Sequence, residues 1–260
     1  MKLRLALLPL LLAAPPALAE TRPLLTEEAT SAPSGTLLLE AGGAWIQAEP
    51  NFLTGRVRDR YDAPELRLVF SPSDNVELDV EWVGRVGVQR DPDFGSVSDW
   101  GDVSLRAKLR FRDLGHGKPA FGARFGVTLP ETSFGNGLGP NTLRMSAQLL
   151  ITAPLGGSAR LHLNAGLALQ DEVLRPHEQR DFLAFGAALE APVGKRVTAL
   201  AEIAGRAGKG MPGAEQRIEA RGGVRVAFGR LRWDAAIRRG LSDAVGQWGF
   251  TAGVRIPLKR

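Results

Sequence analysis

Residues 103–112 read Val103-Ser104-Leu105-Arg106-Ala107-Lys108-Leu109-Arg110-Phe111-Arg112, with an apolar residue at every odd position and a polar or charged one at every even position. A period of two puts the two sets on opposite faces of an extended strand; a helix would need apolar spacings of three and four. Residues 76–89 repeat the pattern with the opposite charge. Val76, Leu78, Val80, Trp82, Val86 and Val88 share one face, and Glu77, Asp79, Glu81, Arg85 and Gln89 share the other. Antiparallel pairing of the two strands brings Glu77, Asp79 and Glu81 near Arg106, Lys108, Arg110 or Arg112, where opposite charges stabilise the ladder.

The same alternation runs outward in both directions. It begins with Leu37, Leu39, Ala41 and Trp45, and ends with Trp248, Phe250, Ala252, Val254 and Ile256. About twelve such strands are expected. Their links alternate in length: short ones near 72–75, 113–118, 154–158, 192–195 and 229–230, longer polar ones near 50–62, 90–101, 130–141, 171–181, 207–216 and 239–247. Tight turns at one end and long loops at the other are the habit of a transmembrane barrel. The expected fold is therefore all-β, an up-and-down antiparallel barrel, with an even strand count that leaves both termini on the periplasmic side. In this reading the Leu, Val and Ala face meets lipid. Trp45, Phe70, Trp82, Phe111, Trp233 and Trp248 sit toward strand ends as interfacial girdles, and the charged face lines the lumen.

The first residues carry a separate signal. Lys2 and Arg4 precede the apolar run Leu5 to Leu12, and Ala17-Leu18-Ala19 is a small-x-small cleavage site. Residues 1–19 read as a cleavable signal peptide, which predicts export to the outer membrane and a mature chain starting at Glu20. Residues 20–34 fit an N-terminal periplasmic segment or a lumen plug, chain ends being more often free; residues 35–260 form the barrel. The chain of 260 residues has no cysteine, which removes disulfides and thiol nucleophiles. Its formal charge of +5 favours acidic partners. The mean hydropathy of −0.08 is far from that of a helical membrane protein.

Several stretches in order carry a family resemblance. They are Arg22-Pro23-Leu24-Leu25-Thr26-Glu27-Glu28, Ser73-Asp74-Asn75-Val76-Glu77-Leu78, Trp100-Gly101-Asp102-Val103-Ser104-Leu105-Arg106-Ala107-Lys108, Phe125-Gly126-Val127-Thr128-Leu129-Pro130 and Gly240-Leu241-Ser242-Asp243 with Trp248-Gly249-Phe250. The chain resembles the bacterial outer-membrane family named for the MetA pathway of phenol degradation. That resemblance implies a transporter, near the channels for fatty acids and aromatic compounds.

The candidate site is the lumen charge cluster Glu77, Asp79, Glu81, Arg106, Lys108, Arg110 and Arg112. It reads as an ion-pair network bracing the wall or as a basic constriction that favours anions. Twelve strands lie between a filled eight-stranded interior and an open porin, so a narrow passage is expected. No enzyme is expected: of His116, His162 and His177 only His162 lies at membrane depth, and the nearest inward serine, Ser146, is out of register with it. No metal, cofactor or nucleic acid is expected, because the acidic residues have basic neighbours and the basic residues alternate around a wall. The expected partners are outer-membrane lipid and lipopolysaccharide, the barrel-assembly machinery and a small-molecule solute. The function expected is passage of a small solute, apolar or aromatic by the resemblance, anionic by lumen charge. The alternatives are a structural or surface-interaction barrel with a plugged lumen and, further off, a lipid-modifying enzyme.

Overall fold

Alternation this regular leaves each segment one stable option, to pair edge to edge with its neighbours and share one greasy face with them. A computed structural model describes residues 22–113, 117–156, 158–175, 178–209 and 212–259. The signal peptide, His116 and His177 lie outside the described residues. The strands are β1 Leu37–Pro50, β2 Val57–Ser73, β3 Val76–Val83, β4 Val86–Asp91, β5 Gly95–Asp99, β6 Val103–Arg112 and β7 Ala120–Leu129. They continue as β8 Arg144–Pro154, β9 Arg160–Asp171, β10 Gln179–Pro192, β11 Val197–Arg206, β12 Arg217–Phe228, β13 Leu231–Gly240 and β14 Trp248–Lys259.

Twelve of them close a barrel, each paired antiparallel with the next, and β1 completes the circle by pairing with β14 from Leu37↔Lys259 to Gln47↔Trp248. Closure removes the free edges that open strands would expose. The start of β1 and the end of β14 therefore lie at the same end, that of the short turns. Outward side chains such as Leu105, Leu149, Leu167, Leu183, Ile203, Ile237 and Phe250 are exposed, while charged residues between them are buried. Phe70, Phe111, Phe228 and Trp233 ring the short-turn end, and Trp45 and Phe250 pack together toward the other.

Residues 76–89 are not one strand, as the alternation suggested, but β3 and β4 broken at Gly84-Arg85. The cause lies across the ladder in Pro64. Proline has no amide hydrogen to give, β2 shifts register between Asp62 and Glu65, and a Cβ on Gly84 would stand 2.9 Å from the Pro64 ring. Beyond the break, β4 and β5 form a hairpin that leans on the upper half of β2. Val86 and Val88, expected on the lipid face, are instead buried against Leu138 from the long loop 130–143. Arg85, expected inside, is exposed and donates to Ser98 Oγ at 2.8 Å.

Candidate functional site

Register decides which lumen charges meet. Glu77 stands opposite Lys108, Asp79 opposite Arg106, and Glu81 opposite Ser104. Lys108 Nζ lies 3.0 Å from Glu77, with both side chains nearly inaccessible. Asp79 collects three guanidiniums: Arg67 Nε at 3.0 Å, Arg106 Nε at 2.7 Å and Arg124 Nη2 at 3.1 Å. Arg106 also pairs with Glu81. Five of the seven expected residues thus form one network.

Arg110 and Arg112 do not join it. The β6–β7 register shifts between Arg110 and Arg112, which turns Phe111 and Arg112 outward together. Arg110 instead donates to Asn75 Oδ1 at 3.2 Å and pairs with Asp113 at 2.8 Å at the turn. Arg67 and Arg124, which the hairpin argument did not include, complete the cluster. Their signal was their place on the inward face of neighbouring strands.

Residues 22–36 lie inside this charged wall and cross it from side to side. Arg22 pairs with Glu65 at 2.6 Å and donates to Ala252 O at 2.9 Å. Arg225 and Arg221 donate to the Arg22 and Pro23 carbonyls at 2.7 and 2.6 Å. The Leu25 amide donates to Glu202 at 2.9 Å, and the Thr26 amide reaches the same carboxylate. Leu24 packs on Ala188 and Leu200, Ala29 on Ala120 and Leu150, and Ala32 on Leu38 and Val69. Glu27 pairs with Arg124, and Glu28 lies 3.3 Å from Arg160. Near the short turns, the Ser34 amide donates to Asp74 at 2.8 Å. The segment therefore occupies the short-turn half of the lumen, its backbone amides held by wall carboxylates and hydroxyls.

His162 sits beneath it. Its Nδ1 lies 2.9 Å from the Thr152 hydroxyl, which accepts from the Ala29 amide at 2.8 Å, and its Nε2 is 3.7 Å from Glu190. Ser146 faces Ala168, as far from His162 as the sequence implied. The hydroxyl that does meet His162 is fully buried under Ala29, where it holds the inner segment in place.

At the loop end the lumen opens into a cavity of about 390 Å³ lined by Arg58, Arg60, Arg144, Arg206, Arg217 and Arg238, with Glu49, Asp62 and Glu215 among them. Phe52, Leu138 and Pro140 add apolar surface. A second cavity of about 300 Å³ lies between Arg22, Glu65, Arg106 and the inner segment.

A closed twelve-stranded antiparallel barrel with an apolar outer belt and a charged interior is the fold of outer-membrane barrel proteins. No family model and no curated protein matches the sequence. Among solved structures, an outer-membrane channel from Pseudomonas putida F1 superposes with a TM-score of 0.69 at 16% identity, covering 88% of this chain and 97% of that one. LpxR from Salmonella typhimurium follows at a TM-score of 0.48 and 8% identity, over 85% of this chain and 99% of that one. The outer membrane phospholipase A from Escherichia coli gives 0.46 and 10%, over 91% and 93%. At 16% identity the likeness to the first is one of fold.

Proposed function

We propose that this protein is an outer-membrane channel for a small solute, closed in the state described by residues 22–36. The observation that carries this reading is the makeup of the lumen. Its interior is charged and holds cavities within an apolar belt, and the segment crossing it belongs to no strand. In this reading the belt meets lipid and lipopolysaccharide, the assembly machinery inserts the barrel, and the short-turn end faces the periplasm. The resemblance to the MetA-pathway family supports an apolar or aromatic solute, and the arginines of the mouth support an acidic one.

Planar-bilayer recordings test the reading. Glu202→Gln weakens one hold on the inner segment by taking away its charge and Thr152→Val removes another, so the double variant conducts more, or opens more often, than the parent. A silent parent and a silent variant, both migrating as folded heat-modifiable barrels, would reject the channel. The same inner segment would then mark a structural barrel with a plugged lumen.

A further inference from the structure

Six arginines line the mouth cavity, and five of them are paired with a carboxylate. Arg58 holds Asp91 at 2.6 Å and Arg60 holds Asp62 at 2.9 Å. Arg144 pairs with Asp102, Arg217 with Glu49 and Arg238 with Glu219. Arg206 is the exception: among the described residues no carboxylate lies within salt-bridge distance of it. It donates to Gln170 Oε1 at 3.1 Å and to Gly213 O at 3.0 Å, both neutral acceptors, and its Nε is buried with no partner. Glu215 is near enough to attract it, but one of its oxygens accepts from the Gly213 amide at 2.9 Å.

The ladder makes the position worse for a bare cation. Arg206 stands directly opposite Arg217 across β11 and β12, and Arg144 adds a second repulsion. Like charges in that register destabilise a sheet. Yet the guanidinium is fixed in place by the buried Phe182 ring, 4.3 Å away. It also borders three cavities, the mouth of about 390 Å³ and two of about 290 and 220 Å³ beneath it. A pinned guanidinium whose Nη groups meet only neutral acceptors, each Nη with a second N–H, flanked by two further arginines and bordering open space, has the chemistry of an oxyanion receptor. Phe52, Leu138 and Pro140 lie on the same cavity, which suits a ligand with an apolar body.

We propose that the mouth holds an anion subsite at Arg206, flanked by Arg144 and Arg217, that takes small organic carboxylates with an apolar body. The site deepens the channel reading, on which its role in solute passage rests, but occupancy can be tested without transport. The purified, folded barrel is titrated by calorimetry with benzoate, its neutral isostere benzamide, and inorganic phosphate. Benzoate is expected to bind at least roughly tenfold tighter than either, the worth of a charge-assisted hydrogen bond. Arg206→Gln abolishes the preference for benzoate over benzamide, while Arg239→Gln, on the exposed face, leaves it intact.

Equal binding of benzoate and benzamide by the parent overturns the proposal, as does preference surviving in Arg206→Gln. Phosphate binding as tightly as benzoate overturns the organic ligand. Should Arg206→Gln not fold, Arg206→Lys replaces it: its point charge lacks the planar fork, so the preference must fall, and an unchanged preference overturns the site. Benzoate preference in a barrel that never conducts would leave the subsite and remove the channel; conduction without preference would do the reverse.

Discussion

In the short-turn half of the lumen, Asp79 receives Arg67, Arg106 and Arg124 while Glu77 receives Lys108; at the loop end, Arg206 faces Arg217, and among the described residues no carboxylate lies within salt-bridge distance of Arg206. Both regions lie on the inward face of the barrel wall, the first on β2, β3, β6 and β7 and the second on β11 and β12, and both are rich in arginine. Like charges face one another in both, Lys108 against Arg124 in the first and Arg206 against Arg217 in the second. The two regions differ in whether a carboxylate lies within reach of each cation. Where it does, the charges are consumed in bracing the wall and the inner segment. Where it does not, a guanidinium is left with donors to spare beside a cavity. Lumen charge by itself therefore does not tell bracing from the proposed binding; the distance from each cation to a carboxylate does.

The comparison breaks most directly at Asp79. Asp79→Asn keeps the shape but withdraws the charge that Arg67, Arg106 and Arg124 share, two of them buried, and unfolding free energy in lipid vesicles is expected to fall by about 3–5 kcal/mol. A loss below about 1 kcal/mol would mean that the lower network braces nothing. Next in size is the outer belt: Leu149→Arg should cost about 2–4 kcal/mol in the same measurement if Leu149 meets mid-bilayer lipid. Thr152→Val removes the acceptor for the Ala29 amide and is expected to cost about 1–3 kcal/mol. Its clearest readout is faster hydrogen exchange at Ala29 with little change in neighbouring strand amides.

At the mouth the expected sign changes. Arg206→Gln relieves repulsion from Arg217, so the ligand-free variant should be as stable as the parent or more so, by up to about 1 kcal/mol. The smallest effect belongs to Asp102, in the loop before β6. Burial opposes its charge, but Arg144, the Glu131 amide and the hydroxyl and amide of Thr132 outweigh it and hold the carboxyl below the usual aspartate range. A folded value below the unfolded one, near 3.9, means its contribution is present above that pH and is lost as pH falls through the folded value. Asp102→Asn should therefore flatten the acid limb of the stability curve, by less than about 1 kcal/mol for a pair that remains partly exposed. An unaltered acid limb would remove Asp102 from this account.

Periodicity carried most of the fold, because alternation, link lengths and an even strand count are local features of a sequence. The core of the site was legible for the same reason: the acidic and basic alternations follow one another in sequence, and β3 and β6 are neighbours on the wall despite the β4–β5 hairpin between them, so Glu77, Asp79, Arg106 and Lys108 could be paired by inspection. Arg112 was misplaced because a bulge changes the face of every later residue by one step, and nothing in Leu109-Arg110-Phe111-Arg112 marks it; Arg110, before the bulge, is drawn off by Asn75 and Asp113 at the turn. The break at Gly84 depends on Pro64, twenty positions earlier, and becomes visible only once β2 lies beside it. The course of residues 22–36 was harder still. Its amides find Glu202 and Thr152 on strands far along the chain, and a short polar segment with two leucines looks the same whether free or enclosed.

Nearly every pairing in this barrel joins a strand to its successor, a contact that two adjacent segments can make as soon as both exist. The seam between β1 and β14 is different, since Leu37 must find Lys259 across almost the whole chain. Loop-closure entropy makes such a contact the slowest to gain. Residues 22–36 hang from the N-terminal side of that seam, and Arg22 also bonds to Ala252 O and Thr251 on its far side. The leading segment is thus a stitch across the join: order of assembly, not only final stability, is written into it, and a chain that lost it would still zip its hairpins while closing its circle late.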